Sequence, residues 1–555
     1  MPQRLTPLEV TMLALDTART PGHVSTVDIF DPWPEGFDYE RLIALIRDRI
    51  EYVPRYRQRV KPVPVRLAAP VWADDENFDL TFHVRRSALP RPGTLDQLRE
   101  FVGRVMARRL DRSRPLWEIY LVEGLADGSF ALVSKTHLAL VDGIDGVDLG
   151  QVLLDADHRP SLMSAKNWRP LPEPTALELI SGALWDSAQD PAKAIENLRG
   201  TLTSALGVAI AIGEAVGGVG GAVGQLAGDA LRGRRPPANS PLAGEVSEQR
   251  RIALVRLPLA DLKAVRQEHN HTINDVVLAV LTGALRSWLF TRGESLSTGS
   301  SLTALVPMSV TEEEGGPTSL GSQVAPHLQS LPIGEQSALM QLHQVGVGTQ
   351  AHRESGRAVG ARFLSDIAGF APSTLHALGV RVTAEVMRKQ HDILITNVPG
   401  PQVPLYAAGA RLAASYPLLP LSAAHLLTIG VTSYDGEVYF GLTGDRYALR
   451  DLDVLAQCIT DALQELVETT REAPGLRQPT RKASAAARRA AQQKVAARHE
   501  AARRSARKRA AVRTLVSRAS EFGVVSAPAA KRIAAAQNQA VDASTRKATG
   551  KPRSQ

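Results

Sequence analysis

The stretch Lys135-Thr-His-Leu-Ala-Leu-Val-Asp142-Gly143 carries the densest chemistry in the chain. Upstream of it, Leu116–Glu123 and Phe130–His137 flank the turn residues Ala126-Asp127-Gly128-Ser129, a pattern that predicts a hairpin. The second strand of that hairpin runs into a histidine-containing corner, then Asp-Gly, then helical apolar spacing from Gly143 to Asp155. Side chains alternate along an extended strand. Phe130, Leu132, Ser134, Thr136 and Leu138 then face one way, and Ala131, Val133, Lys135 and His137 the other.

Working outward, strand and helix patterns keep alternating. His23–Asp31 reads as a half-buried strand, and Tyr39–Ile50 as a helix with Leu42, Ile43, Leu45, Ile46 and Ile50 spaced for one face. Residues 171–249 break the rhythm. They open with Pro172 and Pro174, turn Gly/Ala/Val-rich over Ala205–Gly228, and close at Arg234-Arg235-Pro236-Pro237. Alternation resumes with strands at Thr303–Pro307 and Asp392–Asn397, and a hairpin of Thr428–Tyr434 and Val438–Leu442 about Asp435-Gly436. A closing helix follows at Asp451–Glu472. The expected organisation is an α/β (α+β) protein with domains at 1–170 and 250–473, a helical linker at 171–249, and a tail from 474 to 555.

That tail explains the charge. The 555 residues carry a formal net +8. From Gly475 onward there are 20 Lys and Arg against 3 Asp and Glu, a net of +17, whereas the preceding residues hold 45 against 54, a net of −9. The body is acidic, and the tail is a basic Ala/Arg/Lys low-complexity segment that reads as a tether to anionic lipid or nucleic acid, or as a solubilising extension with no dedicated partner. The single cysteine, Cys458, excludes a disulfide framework or a cysteine-ligated zinc. No third ligand stands near His269 and His271, so no metal site is expected. Walker A, G-x-G-x-x-G, H-E-x-x-H and G-x-S-x-G motifs are all missing. Arg4, Glu9 and Asp16 interrupt the first apolar run, so a cytoplasmic location is expected.

Several motifs in order resemble the bacterial wax ester synthase/diacylglycerol acyltransferase family, part of the wider CoA-dependent acyltransferase group. They are Leu5-Thr-Pro-Leu-Glu9 with Thr20-Pro-Gly-His-Val24, and His83-Val-Arg-Arg running to Leu89-Pro-Arg-Pro-Gly93. Next come Pro115-Leu-Trp117, the His137 to Gly143 corner, Asn274-Asp275, Leu320-Gly321 to Leu331-Pro332, and Asn397-Val-Pro-Gly-Pro401. The resemblance implies two chloramphenicol-acetyltransferase-like domains around a tunnel. Acyl-CoA enters as a substrate, no cofactor is needed, and the acceptor is diacylglycerol or a long-chain alcohol. It also implies work at a membrane or lipid-droplet surface. Residues carried over are His137 and Asp142 for catalysis, and Gly143, Asn274 and Asp275 for substrate.

Two positions depart from the family pattern: Ser322 stands where an Asn is expected after Gly321, and the corner lacks part of the signature H-H-x-x-x-D-G. The second histidine, the general base on the acceptor hydroxyl, is Leu138 here. A positioned base contributes about 10²–10⁴ in rate. Three readings stay open: His137 acts from a rearranged corner, another residue supplies the base, or the chain is a weak or silent homologue that binds acyl lipids. Blander roles are weighed for the rest. Asn274 would cap the helix beginning at Asp275, Pro115-Leu116-Trp117 would pack a strand, His327 and His425 would be core histidines, and His391 would mark a solvated strand start. Ala205–Gly228, with Glu214 its only charge, reads as a linker helix or loop, or as a segment dipping into lipid.

Overall fold

The computed structural model describes residues 2–32, 38–64, 67–142, 153–159, 168–189, 240–309, 324–354 and 391–471. Residues 1–472 form one compact unit. The expected helix from Gly143, the Ala205–Gly228 segment, the Leu320-Gly321 block and the basic tail lie outside the described residues.

Helix α1 (Pro7–Leu15) starts at a capping box in which Thr6 and Glu9 satisfy each other's backbone N–H groups, with Pro7 at the first position where no donor is needed. Strand β1 (His23–Phe30) follows, then α2 (Tyr39–Arg49), capped by Asp38 and burying Leu42, Ile43, Leu45 and Ile46. A small ribbon pairs β2 (Gln58–Lys61) with β3 (Val71–Asp74). The short α3 (Leu80–His83) leads into β4 (Val84–Ala88). Helix α4 (Leu95–Met106), with a Thr94/Gln97 capping box, precedes the hairpin of β5 (Trp117–Glu123) and β6 (Phe130–His137). Helix α5 (Leu138–Asp142) begins directly at the end of β6, and α6 (Ala176–Gln189) lies further on.

The second half opens on β7 (Arg250–Pro258), α7 (Leu259–His269) and α8 (Ile273–Thr291). Between the helices Asn270 takes φ +54°, a left-handed conformation that Asn tolerates. Then come β8 (Leu302–Ser309), β9 (Val324–Leu331), α9 (Ala338–Glu354), β10 (Ile393–Pro399), β11 (Tyr406–Ala407), β12 (Ala410–Leu418), β13 (Leu427–Tyr434), β14 (Glu437–Asp445) and α10 (Leu452–Arg471). Helix α8 is long and apolar enough to cross a membrane. Its residues Val276–Leu281, Leu285 and Trp288 are buried in the second core, so its hydrophobicity is spent on packing.

The strands make two six-stranded mixed sheets. Their orders are β11-β12-β1-β6-β5-β4 and β7-β14-β13-β10-β8-β9. The first sheet is completed by strands from the far end of the chain: β12 pairs antiparallel with β1, Ser25 opposite Leu418 and Asp28 opposite Ser415. To reach β1, β12 passes tightly over the second sheet. A Cβ on Gly441 would lie 1.9 Å from the Pro417 carbonyl oxygen, and one on Gly430 2.7 Å from it. Only glycine permits that approach. The hydroxyls of Tyr434 and Tyr439 donate to the carbonyls of Leu412 and Ala413, at 3.0 and 2.9 Å, and pin the crossing strand.

Candidate active site

The hairpin and the corner form where the spacing predicts. Gly128 supplies the turn with φ +80°, and β6 runs in register with β1 from Phe130 opposite Phe30 to His137 opposite His23. Extended backbone ends at His137. Leu138 is the first helical residue, held by its N–H donating to the Gly22 carbonyl at 3.0 Å. Its side chain is 4% exposed and packs in the first core. An apolar residue therefore fills the place where the family pattern has an imidazole.

His137 is also enclosed, at 1% exposed. Its Nδ1 accepts from the Ala139 N–H at 3.0 Å, and its Nε2 faces Asp16 Oδ2 at 3.7 Å. Asp16 ends α1 and points inward. It accepts from the Gly22 N–H at 3.1 Å, from Arg109 Nε and Nη2 at 3.2 and 2.9 Å, and from Arg112 Nε and Nη2 at 3.2 and 2.8 Å. Burial by itself would raise the Asp16 pKa, but His137, Arg109 and Arg112 outweigh it and hold the carboxyl far below the ordinary range. Burial lowers the His137 pKa against the opposing pull of Asp16, so the ring is neutral at neutral pH.

His23 sits across the strand pair from His137 with both ring nitrogens buried and without a partner among the described residues. Burial, with Lys135 and His137 nearby, pushes its pKa well down. Lys135 donates to the Arg108 carbonyl and lies 4.0 Å from Glu118; burial lowers it to about 8. Glu118 in turn receives Arg85 at 3.0 Å and the Tyr120 hydroxyl at 2.7 Å. The backbone of Asp142 closes α5, and Gly143 falls outside the described residues.

In the second half, Thr272 caps α8, with Asp275 completing the box. This corrects the expectation that Asn274 is the cap: it sits inside the first turn. Freed from capping, its Oδ1 accepts from Asn397 Nδ2 at 3.0 Å, while its own Nδ2 is buried and finds no partner among the described residues. The N-D and N-V-P-G-P motifs thus meet through their asparagines. The Asp275 carboxylate is committed to the cap and to the Thr349 hydroxyl at 2.5 Å. Among the described residues no hydrogen bond or ion pair joins Asn274 to the His137 corner. Trp117 starts β5, buried, with Nε1 donating to the Tyr56 carbonyl at 2.7 Å. His425 is a satisfied core histidine bonded to Ser422 Oγ at 2.9 Å and to the His391 carbonyl at 3.1 Å, and His327 is half-buried beside Gln329. His391 is 2% exposed and stacked on His425 at 4.3 Å, not solvated as expected, because it leads into a strand central to the second sheet. Sequence reasoning missed Asp16, which no local motif marks; its contacts to Arg109 and Arg112 span more than ninety residues.

The wax ester synthase/diacylglycerol acyltransferase catalytic domain matches residues 5–277, and the C-terminal domain of the same family matches residues 320–467. The chain belongs to the wax ester synthase/diacylglycerol acyltransferase family. It is 33% identical over 434 residues to a probable diacylglycerol O-acyltransferase of Mycobacterium tuberculosis, covering 78% of this chain and 89% of that one. A second such protein of that organism is 37% identical over 270 residues, 49% of this chain and 97% of that one. The solved wax ester synthase/diacylglycerol acyltransferase of Marinobacter aquaeolei VT8 shares the fold with a TM-score of 0.57 at 27% identity, over 84% of this chain and 100% of that one. Family membership gives this acyltransferase its reaction class, transfer from acyl-CoA to a hydroxyl acceptor.

Proposed function

We propose that this acyltransferase moves a long-chain acyl group from CoA to diacylglycerol or a fatty alcohol, with His137 as the base. The acceptor oxygen attacks the thioester carbonyl carbon and the C–S bond breaks. The hydroxyl proton passes to the imidazole and from there to the CoA sulfur. A neutral imidazole is suited to this shuttle. The observation that carries the reading is the ordered match of both family domains, with a buried His137 facing Asp16 at the strand–helix corner. For His137 to act, Nδ1 has to be released from the Ala139 N–H, a bond made by the first turn of α5. The alternative, set by Leu138 standing where the motif has its second histidine, is an acyl-lipid-binding homologue without turnover.

The test is CoA release from palmitoyl-CoA with dioleoylglycerol or hexadecanol, on the wild type, His137→Ala and Leu138→His. Turnover that His137→Ala abolishes supports the enzyme reading. A silent wild type, with turnover gained in Leu138→His, establishes the binding protein.

The location we infer is cytoplasmic and peripheral at membranes or lipid droplets, where such acceptors dissolve. The net +17 from Gly475 onward would hold the chain to anionic headgroups. Binding of the full chain to phosphatidylglycerol vesicles should weaken steeply with salt and be lost in a 1–474 truncation. Tail-dependent binding to duplex DNA and not to vesicles would replace the lipid by a nucleic acid.

A further inference from the structure

We propose that Asp16 is a positioning residue for acyl transfer: it faces the Nε2–H of His137, whose tautomer the Ala139 N–H sets, and stabilises the imidazolium formed when Nδ1 accepts a proton. The inference rests on the reading that His137 is the base.

Three observations converge. First, Ala139 N–H points at Nδ1 at 3.0 Å, so that atom carries the lone pair and the proton of the neutral ring sits on Nε2. Second, the group facing Nε2 is the Asp16 carboxylate, 3.7 Å away, and Nε2 has no hydrogen-bond partner of its own in the resting corner. Third, two guanidinium groups and the Gly22 N–H fix Asp16 in place and keep it ionised. A purely structural clamp has no use for the imidazole. Arg109 and Arg112 already tie the end of α1 to the loop after α4, and Gly22 ties it to the start of β1, whereas a buried Nε2–H without a close acceptor costs free energy.

The geometry makes sense for an imidazole that is cationic for part of a cycle. When Nδ1 takes the acceptor proton, the ring becomes a cation facing a fixed anion, and the 3.7 Å approach can shorten into a charge-assisted hydrogen bond. The other charged or titratable groups near this ring are His23 on β1, Lys135 on β6, and Arg109 and Arg112 after α4. Arg250 on β7 faces the His23 side. All of those that are charged disfavour imidazolium, so Asp16 is what makes proton uptake feasible.

The experiment uses the full chain with ¹⁵N-labelled histidine, His137 being identified by the resonance lost in His137→Gln. It reads the tautomer and the pH dependence of kcat for CoA release in the wild type, Asp16→Asn and Asp16→Glu. The wild type should show the Nε2–H tautomer. Asp16→Asn should keep the tautomer set by the Ala139 N–H, lower kcat by about 10–100-fold, and move the acidic limb of the kcat profile to lower pH, because an imidazolium without its counter-charge is a stronger acid. Asp16→Glu should restore the pH profile and most of the rate. An active Asp16→Asn protein with unchanged kcat and pH profile overturns the proposal, as does an Asp16→Glu that fails along with Asp16→Asn. A wild type with no turnover sinks the acyltransferase reading itself, and this inference with it.

Discussion

The N–H of Leu138 donates to the carbonyl oxygen of Gly22 at 3.0 Å, so the backbone of position 138 is held independently of its side chain. A side chain can be exchanged there without releasing the corner. Leu138→His should therefore place an imidazole where the family has one, raising kcat by about 10²-fold and making it insensitive to loss of His137. The buried leucine contributes about 2 kcal/mol, so the same variant should unfold at a lower temperature. Assay of CoA release beside thermal unfolding checks both halves. A variant that is folded but no faster would place the acceptor hydroxyl away from position 138.

His23 gives the protein an acid sensitivity whose sign follows from burial. Its folded pKa lies well below 6.5, and that of His137 is lowered too. The unfolded chain takes up protons as pH falls through 6.5, and the folded chain does not. Stability contributed by these groups is thus complete above 6.5 and lost as pH falls toward the folded values, at up to about 1.4 kcal/mol per pH unit per histidine. Asp16, whose folded pKa is depressed, adds a further loss only below its unfolded value of 3.8. Urea unfolding between pH 7 and 5 should show a slope that His23→Phe reduces by about one proton. An unchanged slope would mean that His23 titrates in the fold.

How much of this was readable beforehand depends on the distance over which each signal acts. The hairpin of β5 and β6, the register of apolar residues on α2 and the closing helix α10 follow from local periodicity, and they stand where it puts them. The pairing of β1 with β12 joins residues nearly four hundred apart, and nothing in Ala410–Leu418 distinguishes a strand of one sheet from a strand of the other. His391 follows Arg388-Lys389-Gln390 and reads as solvated, yet it packs on His425, because burial is decided by the sheet and not by the preceding charges. Asn274 and Thr272 are both good caps by type. Thr272 takes the position because Asp275, three residues on, closes the reciprocal box. The spacing T-x-x-D was the missed signal. Asp16 gave no signal at all.

The crossing of β12 predicts a sharp contrast between glycines. Gly441→Ala would drive a Cβ to 1.9 Å from a backbone oxygen that belongs to a paired strand, so the strand has to move. The cost should be about 3 kcal/mol, with activity lost as β12 separates from β1. Gly299→Ala, where nothing lies within 4 Å of the added carbon, should leave stability within about 0.5 kcal/mol of the wild type. Denaturant midpoints for the two variants test the contrast, and equal midpoints would mean that β12 does not approach the second sheet this closely.

The asparagine pair yields a prediction of the opposite kind, a change in activity without a change in fold. Asn397 Nδ2 donates to Asn274 Oδ1, and this fixes the second amide so that its Nδ2 stays an unused donor. An unpartnered buried donor costs about 1–3 kcal/mol. Retaining it makes sense if a substrate oxygen supplies the acceptor during the reaction. Asn397→Asp removes the donating group at nearly constant shape, and the Asn274 amide would then turn its Nδ2 toward the new carboxylate. Stability should hold or rise, while kcat/KM for CoA release falls by about 10-fold. Asn274→Ala should remove the donor outright and fall at least as far, and the double variant should be no worse than Asn274→Ala alone, because Asn397 acts through Asn274. Additive losses in the double variant would instead give Asn397 a contact of its own with the substrate.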